Sequence, residues 1–73
     1  MKKQIFKLNE NEEFIPLDKL LKIMRLVNSG GEAHSLITEG MIKVNNETEL
    51  QKRKKIRVGD IVIFDNQQIE ITK

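Results

Sequence analysis

Five basic residues occupy six consecutive positions in the second half of the chain: Lys52, Arg53, Lys54, Lys55 and Arg57. The whole protein has a formal net charge of only +2, so this run is a local concentration of positive charge. Like charges at adjacent positions repel each other, and no acidic stretch alternates with them to neutralise the run. Short basic runs are often solvated loops that aid solubility. The functional alternative is a binding site for an anion such as a phosphate backbone.

The neighbouring residues favour the second interpretation. Ile56 and Val58 follow the charges at once and are predicted to enter the core, so the charges should lie on a fixed ridge. Further cations are predicted nearby, on the outward face of the preceding strand and on the polar stripe of the first helix: Lys43, Lys19, Lys22 and Arg25. A rigid basic edge flanked by cations is suited to a phosphate backbone.

The stretch NSGGEAH has two interpretations. Ser29, with Glu32 three residues later, is typical of a helix N-terminus that follows a tight turn. Alternatively, Gly30 and Gly31 expose backbone amides that could bind a phosphate, although Glu32 would repel an anion. His34 follows on the same helix, where it could add a phosphate or base contact.

The residue set argues against catalysis. His34 is the single histidine, and neither Ser29 nor Ser35 has a second base with which to form a catalytic relay. The acidic cluster Glu10, Glu12 and Glu13 is predicted in an exposed turn, where a general acid would be neither buried nor positioned. The sequence therefore predicts a protein that is not an enzyme, with no metal site and no cofactor.

Length and composition define the class of protein. A chain of 73 residues predicts one domain with a compact core and little room for an enclosed cavity. The absence of cysteine excludes disulfides and suits a reducing compartment. The first residues lack the apolar region of a signal peptide, and no run approaches membrane-spanning length. We expect a soluble, cytoplasmic, monomeric protein that uses neither a membrane nor a small-molecule substrate.

Two amphipathic helices are predicted in the first half of the chain. Leu17, Leu20, Leu21 and Met24 follow the helical i, i+3, i+4, i+7 spacing, and Pro16 is tolerated in a first helical turn. The NSGG stretch then ends this helix. The second helix is predicted to begin at Ser29 and to end at Gly40, the residue best able to adopt a left-handed conformation. Its predicted core residues are Ala33, Leu36 and Ile37.

Short strands are predicted on both sides of the helices. An N-terminal segment, residues 4–8, has the length of an edge strand. After the helices, apolar residues alternate or cluster in residues 42–44, 56–58, 61–64 and 68–72, with turns at Asn45-Asn46 and Gly59-Asp60. The predicted fold class is α+β, in which a helix-turn-helix-like pair packs on a small, mainly antiparallel sheet.

Residues 17–64 resemble the RNA-binding domain named after ribosomal small-subunit protein S-four, and in particular its free-standing YbcJ-like branch. The matching pieces occur in the order and spacing of that family: Ser29-Gly30-Gly31 with Ala33, Glu39-Gly40, Ile42-Lys43-Val44-Asn45, the basic segment 49–55, and Val58-Gly59-Asp60. No single piece is specific, but the ordered set is. The resemblance implies an alpha-L RNA-binding motif within one domain, residues 1–73, with a family-like core at about residues 15–65 and terminal strands at 4–8 and 68–72.

The resemblance also implies a function, namely recognition of structured RNA, such as ribosomal RNA or another RNA of the translation machinery. In the family, the two helices and the following strand turn form the RNA-binding face. The expected RNA contacts in this chain are Lys43, Lys52, Arg53, Lys54, Lys55, Arg57, Ser29, Gly30, Gly31, His34 and Lys22.

The chain departs from the family pattern at several of these positions. His34 stands where a lysine or arginine is common, which makes its charge dependent on pH. In the basic segment, Gln51 and Arg53 replace an arginine and a glycine, so the net charge is kept. Pro16 replaces an arginine that often precedes the first helix, and no contact is expected there.

Two other functions are compatible with the sequence. A helix-turn-helix protein that binds double-stranded DNA is possible, but the second helix offers no lysine or arginine to read bases, only Glu32, His34, Ser35 and Thr38. A protein-interaction adaptor is the other alternative, because a basic ridge does not specify its anionic partner.

Overall fold

A computed structural model describes residues 2–73 of the chain. Its elements follow in this order: β1 (Lys2–Lys7), β2 (Ile15–Pro16), α1 (Leu17–Ile23), α2 (Gly30–Thr38), β3 (Ile42–Val44), β4 (Glu47–Thr48), β5 (Lys55–Ile56), β6 (Ile61–Phe64) and β7 (Gln67–Thr72). The two helices are consecutive in sequence, and strands precede and follow them. This confirms the predicted α+β class.

The main sheet has five strands in the order β1-β7-β6-β3-β4. The pairs β6·β7, β3·β6 and β3·β4 are antiparallel, whereas the terminal strands β1 and β7 run parallel. The sheet is therefore mainly antiparallel, with the N-terminal strand at its edge, as predicted. A separate two-stranded antiparallel sheet joins β2 to β5 and aligns Ile15 with Ile56.

The first helix is shorter than its apolar pattern indicates. It ends at Ile23, and Arg25 adopts a left-handed conformation with φ of 60°. The N–H of Arg25 donates to the Lys22 carbonyl, and the N–H of Leu26 donates to the Leu21 carbonyl. These two bonds form a Schellman motif, which satisfies carbonyls that the helix end would leave free. The predicted termination by the NSGG stretch is thus wrong by several residues, because the backbone turn at Arg25 precedes it.

Replacing Arg25 with glycine should stabilise the protein. A side chain at positive φ is strained, whereas glycine is not, although glycine also gives the unfolded chain more freedom. We expect a net gain of about 0.5 kcal/mol in the free energy of unfolding, measured by urea denaturation. Arg25→Ala is the matched control, because it removes the long side chain and keeps Cβ. Equal stabilities of the glycine and alanine variants would contradict this explanation.

The second helix is terminated by the left-handed turn at Gly40, as predicted. Its φ of 77° lies in the left-handed region, and the Gly40 and Met41 N–H groups donate to the carbonyls of Ile37 and Leu36. At the other end, the Ser29 hydroxyl accepts a hydrogen bond from the Glu32 N–H at 3.2 Å. The N-cap predicted from the sequence is therefore present.

One hydrophobic core joins both helices to one face of the main sheet. The fully buried large side chains come from every layer: Leu8, Ile15, Leu17, Leu20, Leu21, Ile37, Ile42, Ile56, Val62, Ile69 and Ile71. Two predicted core residues differ from expectation. Leu36 is only partly buried, although it packs against the core, and Val58 is 52% exposed. Because β5 ends at Ile56, the strand alternation that would have turned Val58 inward does not continue.

Asp60 fixes the turn that follows β5. Its carboxylate accepts hydrogen bonds from the Arg57 N–H at 2.7 Å and from the Asn45 side-chain amide at 2.9 Å. Gly59, with φ of 93°, donates its N–H to the Ile71 carbonyl, and the Ile71 N–H donates to the Asp60 carbonyl. The Val58-Gly59-Asp60 motif thereby ties the turn to β7 and to the turn after β3.

Candidate functional site

Residues 51–57 carry the five clustered cations; they run from a loop into β5 and are fixed against the start of α1. The Leu17 N–H donates to the Lys54 carbonyl at 2.9 Å, and the Asp18 N–H donates to the Lys52 carbonyl at 3.1 Å. These N–H groups belong to the first helical turn and have no partner within the helix. The loop backbone thus satisfies the helix N-terminus, and the helix in turn holds the loop in place. We call residues 51–57 the basic loop.

Four of the five charged side chains of the basic loop are exposed to water. Lys52, Arg53, Lys55 and Arg57 are exposed and Lys54 is half-buried, whereas Ile56 between them is fully buried. The buried Ile56 side chain and the hydrogen bonds to the Lys52 and Lys54 carbonyls together fix the position of the loop. The positive charges are consequently displayed from a backbone of defined conformation.

Phe14 organises the end of the basic loop. The Lys55 ammonium lies 5.1 Å from the centre of the Phe14 ring, and the Arg57 guanidinium lies 5.9 Å from it. Both distances are within the range of cation–π attraction. The half-buried ring thereby holds two like charges near each other. No sequence pattern indicates this role for Phe14, because the ring and the cations are far apart along the chain.

Asp18 links the basic loop to both helices. Its carboxylate accepts hydrogen bonds from the Lys19 N–H at 2.8 Å and from the His34 ring Nε2 at 3.0 Å. The Arg53 guanidinium lies 4.0 Å from the same carboxylate oxygen that His34 contacts. One acidic residue on α1 therefore holds a residue of α2 and a residue of the basic loop together.

The surroundings of Asp18 favour its ionised form. Burial alone would raise the pKa of Asp18. The hydrogen bond from His34, the bond from the Lys19 N–H and the charge of Arg53 lower the pKa, and together they outweigh burial. The pKa of Asp18 is consequently lowered from its usual value. Nothing in the local sequence indicates this contact, because Asp18 and His34 are 16 residues apart.

Replacing Asp18 with asparagine should destabilise the fold more at neutral pH than in acid. Because folding lowers the pKa of Asp18, its ionised form stabilises the folded state above the unfolded-state pKa of about 3.9. This contribution is lost as the pH falls through the lowered folded-state value. We expect Asp18→Asn to reduce the free energy of unfolding by about 1 kcal/mol near neutral pH. Urea denaturation from neutral pH down to about 2.5 should show this difference shrinking, and a constant difference would contradict the assignment.

The remaining predicted residues fall into two groups. Lys22 lies one helical turn after Asp18 on α1, so the two residues share a face of that helix. Gly30 and Gly31 lie about one turn before His34 on α2 and share a face with it. Ser29 caps the N-terminus of α2.

Lys43 lies elsewhere, on β3. It is exposed between the buried Ile42 and Val44 and points away from the core, on the sheet face opposite the helices.

Residues 2–73 contain neither a metal-ligand group nor a helix suited to a membrane. Within that range, no group of three or more histidine or acidic side chains is placed to hold a metal ion. Neither helix of the described chain has the length and apolar character needed to cross a bilayer.

Comparison with known proteins identifies the family. A family model described as the S4 domain matches residues 6–72 of the chain. The chain belongs to the S4 domain family. The family inferred from ordered sequence motifs is thereby confirmed, and the match extends through β7 and includes the last two residues of β1.

Two relatives and one solved structure show how closely the S4 domain chain resembles known proteins. "Probable ribosome maturation protein RlbA" of Bacillus subtilis (strain 168) is 36% identical over 50 residues, which cover 68% of this chain and 70% of RlbA. YbcJ of Escherichia coli (strain K12) is 35% identical over 57 residues, which cover 78% of this chain and 81% of YbcJ.

The solution structure of YbcJ from E. coli has a TM-score of 0.72 and 32% sequence identity to this chain, covering 94% of this chain and 86% of that one. That structure is described as revealing an alpha-L motif involved in RNA binding. The S4 domain fold predicted for this chain is therefore confirmed by a structural neighbour as well as by the family model.

Proposed function

We propose that this S4 domain protein binds structured RNA through a surface formed by α1, α2 and the basic loop. The observation that carries the proposal is the attachment of the basic loop to the first turn of α1, which displays its cations from a fixed backbone. Membership of the S4 domain family supports it, as does the alpha-L motif of YbcJ, described as involved in RNA binding.

The surface suits the phosphate backbone and shape of RNA better than its bases. The chain has three phenylalanines and no tryptophan or tyrosine, and Phe14 lies beneath two cations of the loop. Stacking of splayed bases on aromatic side chains, the common mode for single strands, thus has few partners here. Folded RNA, in which phosphates converge, is the ligand that we propose.

We propose the translation machinery as the source of that RNA, with ribosomal RNA as the first candidate, since the name of RlbA refers to ribosome maturation. The proposed role is binding without catalysis, by a monomer in the cytoplasm. The residues proposed to contact phosphate are the five cations of the basic loop, with Lys22, His34 and the backbone amides of Ser29 to Gly31 at its border. Lys43, on the opposite sheet face, would contact only an RNA that extends around the sheet edge.

The test is fluorescence-anisotropy binding to an RNA hairpin, a single-stranded RNA and a DNA duplex of matched length, each over a salt series. Four or five phosphate contacts predict a slope of log affinity against log salt of roughly −3 to −4, with the hairpin bound most tightly. Preference for the DNA duplex would favour the helix-turn-helix alternative. Equal, weak binding to all three would contradict the proposal and favour a protein partner with an acidic surface.

A further inference from the structure

The contacts of Asp18 define the chemistry of its neighbours. The lowered pKa of Asp18 means that its carboxylate is ionised, so both of its oxygens can only accept hydrogen bonds. The His34 Nε2 at 3.0 Å must then carry the hydrogen and donate it. In a neutral imidazole the other nitrogen, Nδ1, has no hydrogen and is itself an acceptor. A phosphate oxygen is also an acceptor, so neutral His34 cannot donate to it.

Protonation changes this situation without breaking the contact with Asp18. A protonated imidazole carries hydrogens on both nitrogens, so Nε2 can still donate to Asp18 while Nδ1 becomes a donor for a second anion. His34 keeps 40% of its side chain exposed and Arg53 keeps 76%, whereas Asp18 between them keeps only 13%. The acidic group is thus covered by two basic side chains that reach solvent.

The two basic side chains come from different elements and approach the same carboxylate oxygen of Asp18. His34 Nε2 from α2 and an Arg53 guanidinium nitrogen from the basic loop both lie within 4.0 Å of the same Asp18 oxygen. Within residues 2–73, these are the two ion-pair contacts of Asp18. Without Asp18, Arg53 and a protonated His34 would repel each other. The carboxylate offsets this repulsion where the two side chains approach it, so one phosphate group could contact both.

We propose that Asp18, His34 and Arg53 form one phosphate subsite, in which Asp18 is the positioning residue and His34 donates to the phosphate only when protonated. This inference rests on the proposed RNA-binding function and deepens it. RNA binding is then coupled to proton uptake, and affinity rises as the pH falls.

Asp18→Asn distinguishes positioning from simple electrostatics by the sign of its effect. The substitution removes a negative charge beside the proposed RNA surface, so electrostatics alone predicts tighter binding. Loss of positioning predicts weaker binding, by roughly 5-fold, because about one phosphate contact is lost. Glu39→Gln, directly after α2, is the matched control, since it removes the same charge from an exposed residue that does not contact Asp18. Circular dichroism establishes that each variant is folded.

Variants of His34 test whether its protonation controls RNA binding. They carry little risk to folding because the side chain is partly exposed. Anisotropy with the RNA hairpin at constant ionic strength should show wild-type binding roughly 3- to 10-fold tighter near pH 6 than near pH 8. His34→Gln should lose this dependence and bind at both pH values as weakly as the wild type does at the higher pH. His34→Lys should bind tightly at both. Calorimetry in buffers of different ionisation enthalpy should detect proton uptake by the wild type and less by His34→Gln.

The outcomes separate this subsite from the proposed function. Wild-type RNA binding with a normal salt slope but no dependence on pH would overturn the subsite alone. Asp18→Asn binding as tightly as, or more tightly than, the wild type would overturn the positioning role. A wild type that binds no RNA at any pH would overturn both the subsite and the proposed function.

Discussion

Charge reversal of Lys52 and Lys54 together should weaken binding to an RNA hairpin by roughly 100-fold near 0.1 M salt. Each phosphate contact on a duplex contributes close to one decade of affinity at that salt concentration through counterion release, and reversal adds repulsion to the loss of two contacts. The fold should tolerate the change, because these residues hold α1 through their backbone carbonyls. Fluorescence anisotropy over a salt series measures the affinity and should also show the slope becoming shallower by about 2.

A second double variant controls for net charge. Lys2→Glu with Lys3→Glu changes the charge of the protein by the same amount, but both residues are exposed on β1 at the edge of the main sheet. If the basic loop is the binding site, this variant should lose only a few-fold in affinity through long-range electrostatics. Equal losses in the two double variants would mean that RNA responds to overall charge and that the basic loop is not the site.

Ile56→Ala should cost about 3 kcal/mol of the free energy of unfolding. The Ile56 side chain is fully buried in the hydrophobic core. Truncating a buried isoleucine loses transfer free energy and leaves a cavity. A domain of 73 residues has a total stability of only roughly 5 kcal/mol, so the variant should be marginally folded. Urea or thermal unfolding followed by circular dichroism measures the loss.

Val58→Ala provides the matched comparison two residues away. Its side chain is 52% exposed, so truncation should change the free energy of unfolding by less than about 0.5 kcal/mol. The sequence pattern assigns both residues to the core, whereas the structure separates them. Comparable losses for Ile56→Ala and Val58→Ala would show that the strand alternation continues past β5 and that the turn at Asp60 is misplaced.

Most of the fold follows from local sequence. The helical spacing from Leu17, the cap at Ser29 and the glycine at position 40 each specify backbone geometry within a few residues, and these predictions are confirmed. The differences arise where a local pattern competes with a backbone turn. Arg25 ends α1 early in a conformation that arginine seldom adopts, and the turn held by Asp60 ends the alternation before Val58.

The candidate site could be predicted only in part, for a different reason. Cations are visible in the sequence because they cluster along the chain, so the basic loop is identifiable without coordinates. Asp18 and Phe14 act through tertiary contacts to residues far from them in sequence, and no periodicity or motif indicates such pairs. The orientation of Lys43 likewise depends on which sheet face the helices cover. Sequence therefore predicts the charges of the site, and the structure adds the residues that hold them.

The most direct test of the central claim is to map the RNA-contacting residues by nuclear magnetic resonance. Amide ¹H–¹⁵N spectra of the labelled protein would be recorded during titration with the RNA hairpin. We predict that the largest shift changes occur in residues 29–34 and 51–57 and in the first turn of α1, and that β1 and the outward face of the sheet change little. Shift changes concentrated on β1 and β7, with the basic loop unaffected, would contradict the account.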